Sequence, residues 1–587
     1  MKVISVEVNM KKALFGIFLA IGLVFCVTPT VFAEDWNIVS TNADLLTQLA
    51  AGGNIKLGAD LTLEDDVSTT SDTALDLNGH TMSTGLMSIL AKSKLRIIDS
   101  TTSKTGLISS GDEMFPIYAH ENGDVTFESG KIESIYGIVV TRSTAKLQIT
   151  GGEINTEQFG VYAVAGETEI SGGKITGGMH TATDLAPLIG VEGSATKLTI
   201  SGGEIITQYY GVEVSGDAAF TMNGGKIDGG EFGVTVWNDS VVIINGGEIV
   251  AHSDTAVSTN GTTASPQITI NGGTLTSENG LGIYAPAGEN SKTTINGGTI
   301  TGKEAAIEIR AGELEINGGE MTSTATEYKV VKNGNGSTTT GAAVAIAQHN
   351  TKHPIKVTIC GGKFTGFVAL SEGNPQENDA TALSQMTLEI AEPCGDNEPE
   401  FISTNPANNA DVIKIEDINI LTKFAKSGRY SHKVPADFIA DGYVEPNEKE
   451  NGMYYVTRPH DVTVDAATNG TVSASKATAM KGEEVEITTT PASGYELDAI
   501  TVKDADGNAI TVTDGKFTMP AKDVKITVTF KEIPAEPTPA EPTPAEPTEP
   551  EEKPENPATY DDIAVYFVIM GASLGGLAAV AITKKFF

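Results

Sequence analysis

The chain reads as an all-β protein: a parallel β-helix solenoid, then a small all-β module, a Pro-rich stalk and an apolar C-terminal segment. Three observations predict this. A short phrase (apolar, small or polar, Gly-Gly, any residue, apolar) recurs nine times between Ile149 and Phe364. Its base step is 21 to 22 residues, with longer steps of 25, 26, 30 and 43 where segments are inserted. The stretches between are short, rich in β-branched residues and punctuated by Gly, which marks strands stacked in a solenoid.

Within each repeat the residue types have separate tasks. No unit can bury its own apolar face, so units must stack and share a core column. Before the glycine pair stand Ile149, Ile170, Ile200, Met222, Ile244, Ile270, Ile295, Ile316 and Ile359. After it stand Ile154, Ile175, Ile205, Ile227, Ile249, Leu275, Ile300, Met321 and Phe364. The glycines fall at a sharp turn, where a positive φ suits Gly. Asn223, Asn245, Asn271, Asn296 and Asn317 occupy one slot in successive coils. At a coil spacing of about 4.8 Å their amides are expected to bond along the column, a structural task and not a ligand site. A degenerate copy, with Ser129-Gly130, lies 22 residues upstream of the first pair. The step of 43 is read as one coil with an insertion around 329–351, favoured by the run Asn333 to Gly336 over a lost coil.

Residues 44–63 (DLLTQLAAGGNIKLGADLTL), Leu75 to Thr81 (LDLNGHT) and Leu95 to Thr101 (LRIIDST) carry a resemblance. They resemble the opening of right-handed parallel β-helices, pectate-lyase-like in fold, of secreted and wall-attached proteins of Gram-positive bacteria. Gly428 to Thr457 is similar to the closing coil of that family. The resemblance implies a β-helix over 34–457, opened by a short amphipathic helix at Asp44 to Ala51 that covers the first sheet edge.

A second resemblance covers 461–532. NGTVSASKATAMKGEEVEITTTPASGYELDAITV followed by GKFTMPAKDVKITVTF resembles the bacterial repeat domain related to the B-repeats of internalin-type proteins. Alternation at Val485, Ile487 and Val524, Ile526, Val528, Phe530 independently predicts strands, with turns at Asp506-Gly507 and Asp514-Gly515. This likeness implies a spacer or adhesion module.

The ends carry address signals. Lys11-Lys12, the apolar run Ala13 to Val27 and Val31-Phe32-Ala33 read as a signal peptide over 1–33, cut between Ala33 and Glu34. Residues 533–555 form a Pro/Glu/Thr-rich linker, too polar to pack and suited to spanning a wall. Residues 556–587 then give Asn556-Pro557-Ala558-Thr559, an apolar stretch at 563–582 and Lys584-Lys585. A stretch of that length can span a bilayer as a helix. The tail resembles a sortase sorting signal, with Asn556 in place of the usual Leu and Tyr560 in place of Gly. That implies a sortase-type transpeptidase as partner, acting after Thr559 and joining the chain to peptidoglycan. A plain membrane anchor is the alternative, and either way the solenoid stands outside the cell.

The formal net charge of −37 becomes −39 once residues 1–33 (three Lys, one Glu) are removed. Such acidity disfavours nucleic acid as a partner. It serves solubility, with weak Ca2+ binding as the only cofactor expectation. Cys360 and Cys394 either pair or stay as thiols; their spacing fits no metal site.

Parallel β-helices also carry polysaccharide lyases and hydrolases, which need clustered acids beside a base or paired carboxylates. After residue 33 the chain has five arginines, Arg96, Arg142, Arg310, Arg429 and Arg458, with no acid constellation adjoining them in sequence. His80 and His180 are isolated, and Asp65-Asp66 reads as a turn. Asp184, Glu231, Asp239 and Asp254 lie in neighbouring coils that loops can cluster. No catalytic residue is assigned. The expected function is an adhesin, or a protein binding host or bacterial glycans, through insertions near Met179 to Leu188, His252 to Ser265 and Lys329 to His353. A polysaccharide lyase or hydrolase and a purely structural spacer are the alternatives.

Overall fold

The structure, a computed structural model, describes residues 35–111, 114–178, 186–332, 338–395, 398–447 and 449–534. It is a parallel β-solenoid of about 13 turns followed by a small β domain. Each coil contributes one strand to each of three parallel sheets. Sheet I holds the strands before the glycine pair (15 strands), sheet II those after it (16) and sheet III the third strand of each coil (14). In one typical coil these are Thr196–Ile200, Glu204–Thr207 and Tyr210–Ser215.

Both apolar columns named from the sequence point inward and are buried; Ile200, Met222, Ile244 and Ile270 are all 0 % exposed. The two glycines of each pair do different work. The second has a positive φ in every copy, from +76° at Gly152 to +97° at Gly362. The first does not, but it faces the carbonyl of the coil below: a Cβ on Gly202 would stand 2.3 Å from the Ser171 oxygen, and one on Gly361 2.2 Å from that of Asn317. One glycine sets the turn and the other permits close stacking.

The asparagine column is hydrogen-bonded from end to end. Asn245 donates to Asn223 and Asn271 to Asn245, each at 2.8 Å; Asn296 donates to Asn271 at 2.8 Å and Asn317 to Asn296 at 2.9 Å. The next slot holds Cys360, which is disulfide-bonded to Cys394 and has no proton to continue the run. The pairing left open by the sequence is thus a bond, tying one coil to the loop of the next.

Charges on the outer faces of sheets I and II alternate between coils. On sheet II the register runs Lys131, Glu153, Lys174, Glu204, Lys226, Glu248. On sheet I it runs Asp124, Lys146, Glu167, Lys197. Single exposed pairs, such as Lys131–Glu153 at 2.8 Å, contribute little. The alternation still favours this register, because a slip by one coil would stack like charges.

The helix α1 (Asn42–Ala51) covers the first coil with Leu45 and Leu49 buried. Thr41 caps it, its hydroxyl accepting from the Asp44 amide at 3.2 Å. The step of 43 is one coil with an insertion: Ala305–Ile309 pairs directly with Ala342–Ala347, and the intervening chain holds the antiparallel pair Lys329–Val330 with Thr339–Thr340. The span His252 to Ser265, read as one insertion, is corrected. It contains the sheet III strand Val257–Thr259 with a turn on either side. That strand is only three residues long, too short for alternation to reveal. The span Lys329 to His353 likewise holds the strand Ala342–Ala347.

Residues 460–534 form their own core around Val485, Val502, Phe517 and Ile526. His460–Val464 runs parallel to Val524–Glu532, which pairs antiparallel with Tyr495–Asp504. Gly507 and Gly515 take positive φ at the two turns expected there.

Gly202→Ala is expected to destabilise the solenoid by about 3 kcal/mol, since the clashing atom is backbone and cannot rotate away. Asn271→Ala removes two exposed amide bonds and is expected to cost about 1 kcal/mol. Urea midpoints of the two variants check this ordering.

Candidate functional site

Two long loops, 99–106 and the described part of 391–399, lie at the corner from sheet I to sheet II, and five further insertions flank sheet III. The described parts of two of these, 178 with 186–188 and 324–332 with 338–341, lie at the corner from sheet II into sheet III. Residues 260–266, 348–354 and 374–385 lie at the corner leaving it. His353 Nε2 contacts the Thr262 carbonyl at 2.8 Å, joining two of these loops. Sheet III is therefore the framed face.

Its outward column, read by register, is Tyr118, Val139, Tyr162, Gly190, Glu213, Thr235, Ser258, Tyr284 and Glu308. A second aromatic set enters the same strands as an aromatic-Gly pair: Tyr136-Gly137, Phe159-Gly160, Tyr210-Gly211 and Phe232-Gly233. These glycines are again a close-approach column. A Cβ on Gly137 would lie 2.1 Å from the Gly160 oxygen, and one on Gly211 2.5 Å from that of Gly233. The backbone stays tight while the preceding ring projects beside the sheet.

The rings form one half-buried patch across three coils. Centroids are 4.8 Å apart for Phe115 and Tyr136, 4.6 Å for Phe159 and Tyr162, and 6.4 Å for Tyr136 and Phe159. Gly190 on the next coil lets two rings lie over the sheet: its Cβ would be 2.8 Å from both Phe159 Cε1 and Tyr162 Cδ2. Further along, Tyr210 and Phe232 meet edge to face at 5.0 Å, and Trp237 is 39 % exposed.

Carboxylates stand among these rings. The Tyr162 hydroxyl donates to Glu192 Oε2 at 2.6 Å. Burial, then the charges of Glu192 and Glu213, push that hydroxyl up to about 12. Glu213 is held above the usual carboxylate range by burial and by Glu192, while its hydrogen bond with Trp237 opposes the shift. Tyr210 is raised by burial, then by Glu231, Glu213 and Asp254. Of the four acids read as loop candidates, Glu231 and Asp254 are thus brought together beside Tyr210. Asp239 is not: it sits past the far end of the strand, accepting from the Ser265 amide at 2.7 Å. Asp184 and His180 lie outside the described residues.

Beyond Tyr284 the same face is closed. Glu308 and Arg310 are both 0 % exposed. The Glu308 carboxylate accepts from the Thr338 amide and hydroxyl and the Thr339 amide at 2.9 to 3.1 Å, all from the insertion. Arg310 donates to the Tyr284 hydroxyl at 2.8 Å. Next to this cover, Glu372 accepts from the amides of Glu416 and Asp417, both at 3.0 Å. Burial, then the neighbouring Asp417 and Glu416 carboxylates, push Glu372 up to about 7.

The remaining candidates are accounted for by local pairing. Asp66 accepts from the Ser88 amide at 2.8 Å, in a turn beside Asp65. His80 lies 3.3 Å from Asp60. Arg96 grips Glu128 with two bonds of 2.6 and 2.7 Å. Arg429 and Arg458 meet at a cleft of about 1100 Å³ between the last coils and the C-terminal β domain. Each is neutralised there, Arg429 by Glu398 and Glu450, Arg458 by Glu392 and Asp523. Among the described residues no group of three or more His, Cys, Asp or Glu has metal-holding geometry. No helix among them is long and apolar enough to cross a membrane. Residues 563–582 lie outside the described chain, as do Ala33, Glu34, Asn556, Pro557 and Thr559.

The fold and this face define a β-solenoid with an aromatic–carboxylate strip, joined to a small β domain. Residues 460–534 match the family model described as a divergent InlB B-repeat domain. No curated protein and no solved structure matches the chain.

Because Glu372 titrates above its ordinary value of 4.5, the folded state holds a proton there that the unfolded chain has released. Its contribution to stability is full below about pH 4.5 and is lost as pH rises through about 7. Thermal melts between these values are expected to show a midpoint falling with pH, and Glu372→Gln to flatten that slope.

Proposed function

We propose that this chain is a surface-displayed binding protein, an adhesin whose solenoid recognises glycans and performs no catalysis. The observation that carries the reading is the strip of half-buried rings and carboxylates on sheet III. Aromatic rings pack against the C–H faces of sugars, while carboxylates accept hydrogen bonds from hydroxyls and fix orientation. The remaining faces of the solenoid offer alternating ion pairs and amide ladders, which are occupied with one another.

Display fits the rest of the chain. In this reading the signal peptide exports the chain and is cut between Ala33 and Glu34. The B-repeat domain and the 533–555 linker then serve as spacers. A sortase-type transpeptidase cuts after Thr559 in the Asn556-Pro557-Ala558-Thr559 signal and joins the chain to a Gram-positive wall, the 563–582 segment holding the tail in the membrane until then. A rigid solenoid on such a stalk sets its binding face away from the envelope.

Hydrolysis or elimination at the same face is the second reading, favoured by the raised carboxyl of Glu213 beside Glu192. It requires turnover, so reducing or unsaturated ends must accumulate when polysaccharide is incubated with the chain.

A glycan array probed with the exported chain tests the proposal. Binding to a defined glycan class is expected, falling at least tenfold in Phe159→Ala and Tyr162→Ala with the thermal midpoint of the B-repeat domain unchanged. An array no brighter than that of an unrelated acidic protein would sink the reading, and release of sugar ends would replace it with the catalytic one.

A further inference from the structure

We infer that the Cys360–Cys394 disulfide is a redox-sensitive clasp on the joint between the solenoid and the B-repeat domain, fixing in place a loop acid that holds the two together. The joint lies away from the sheet III strip, so the clasp is independent of what that strip binds.

The joint has no apolar core of its own. Among the described residues the solenoid core ends at Val456, the B-repeat core begins at Val462, and the two clusters are separate. Charge spans the cleft instead. Arg458, in the connecting segment, reaches Glu392 of the solenoid at 3.4 Å and Asp523 of the B-repeat domain at 3.2 Å. A second relay runs through Glu450 of the closing coil, which meets Arg429 at 2.9 Å and Lys481 of the B-repeat domain at 3.5 Å. Partly exposed pairs of this kind each contribute little. The relays therefore hold the domain only when their members are already in place.

Glu392 is the member whose place is set covalently. It stands two residues before Cys394, in the loop between the strands Met386–Ile390 and Glu400–Ser403. Cys394 is bonded to Cys360 of the preceding coil. Two backbone amides add to that tie: Ala391 donates to the Ile359 carbonyl at 2.8 Å and Cys394 to that of Cys360 at 3.2 Å. The Tyr443 hydroxyl then donates to the Glu392 carboxylate at 2.8 Å. The bond confines the loop to the position in which Glu392 meets Arg458, so little freedom is left to lose when the domain docks. Cys394 is exposed, within reach of a dithiol. Attack by one of its thiolates breaks the S–S bond, and its second sulfur closes the reductant's own disulfide. Two electrons and two protons pass to the cysteines, leaving Cys360 and Cys394 as thiols. The pairing of Ile355–Ile359 with Met386–Ile390 does not depend on the bond, so the coils stay stacked when it opens.

Carbodiimide joins a lysine to a carboxylate already in contact with it, and mass spectrometry measures each product. In the full exported chain the Lys481–Glu450 product reports on the joint. Lys426–Glu389, at 2.6 Å, reports on the last coils, and Lys516–Glu484, at 2.7 Å, on the B-repeat domain. Reduction with dithiothreitol, followed by capping of both thiols with iodoacetamide, is expected to lower the joint product about fivefold and leave the other two unchanged. Cys360→Ser with Cys394→Ser is expected to do the same without reductant. Glu392→Gln, with the disulfide intact, is expected to match it, which a bond that merely stiffens the coils would not produce. A joint product unchanged by reduction overturns the inference, as does one unchanged in Glu392→Gln. Loss of the Lys426–Glu389 product on reduction overturns it too, since the bond would then be a staple of the last coils and not a clasp on the joint.

Discussion

Every feature of the solenoid depends on how closely one coil approaches the next at the Gly-Gly corner. A Cβ at the first glycine would lie 2.2 to 2.9 Å from a carbonyl oxygen of the coil below in all copies from Gly151 to Gly361. That oxygen belongs to backbone already committed to the stack, so in these nine coils the slot favours glycine, while the coil before them carries Ser129 there. Close approach there brings the Ile columns into contact, places the asparagine amides within hydrogen-bond reach and lines up the ladders of opposite charge. The aromatic-Gly corner repeats the device on a second edge, where it frees the preceding residue to be a large ring.

The stack was legible from sequence because its signals are local and repeated. Ile200 and Ile205 flank their glycine pair in the chain, and the asparagine slot can be counted without knowing any coordinates. The closing step of 43 residues resolved as one coil with an insertion because the Asn-Gly run at 333–336 interrupts the strand pattern. Features made by contact between coils were less visible. Tyr162 and Glu192 are 30 residues apart, and only stacking brings a hydroxyl within 2.6 Å of a carboxylate. Cys360 and Cys394 join adjacent coils across 34 residues, a distance that fits pairing no better than separation when read as a string. The aromatic-Gly pairs are local too, but they occur in only four coils and at no fixed step. The three-residue strand at Val257 hid inside what read as an insertion.

The three faces divide the labour. Sheets I and II spend their outer residues on alternating charges and the corner between them on the amide ladder, all of which hold register. Sheet III carries rings and carboxylates in its middle coils and is sealed by an insertion in its later ones. There Glu308 and Arg310 are fully covered, their hydrogen bonds taken up by the hairpin and by Tyr284. Regular coils thus supply a rigid ruler, and irregular segments decide how much of one face remains open. Binding residues held on strands keep their spacing under load better than residues on free loops.

That sheet III is the working face is tested most directly by hydroxyl-radical footprinting of the full chain, alone and with its bound glycan. The account predicts protection at Tyr162, Tyr210, Phe232 and Trp237, with Tyr443 and Tyr495 unchanged. Protection confined to the B-repeat domain or to the outer residues of sheets I and II, with those four rings still reactive, would contradict it.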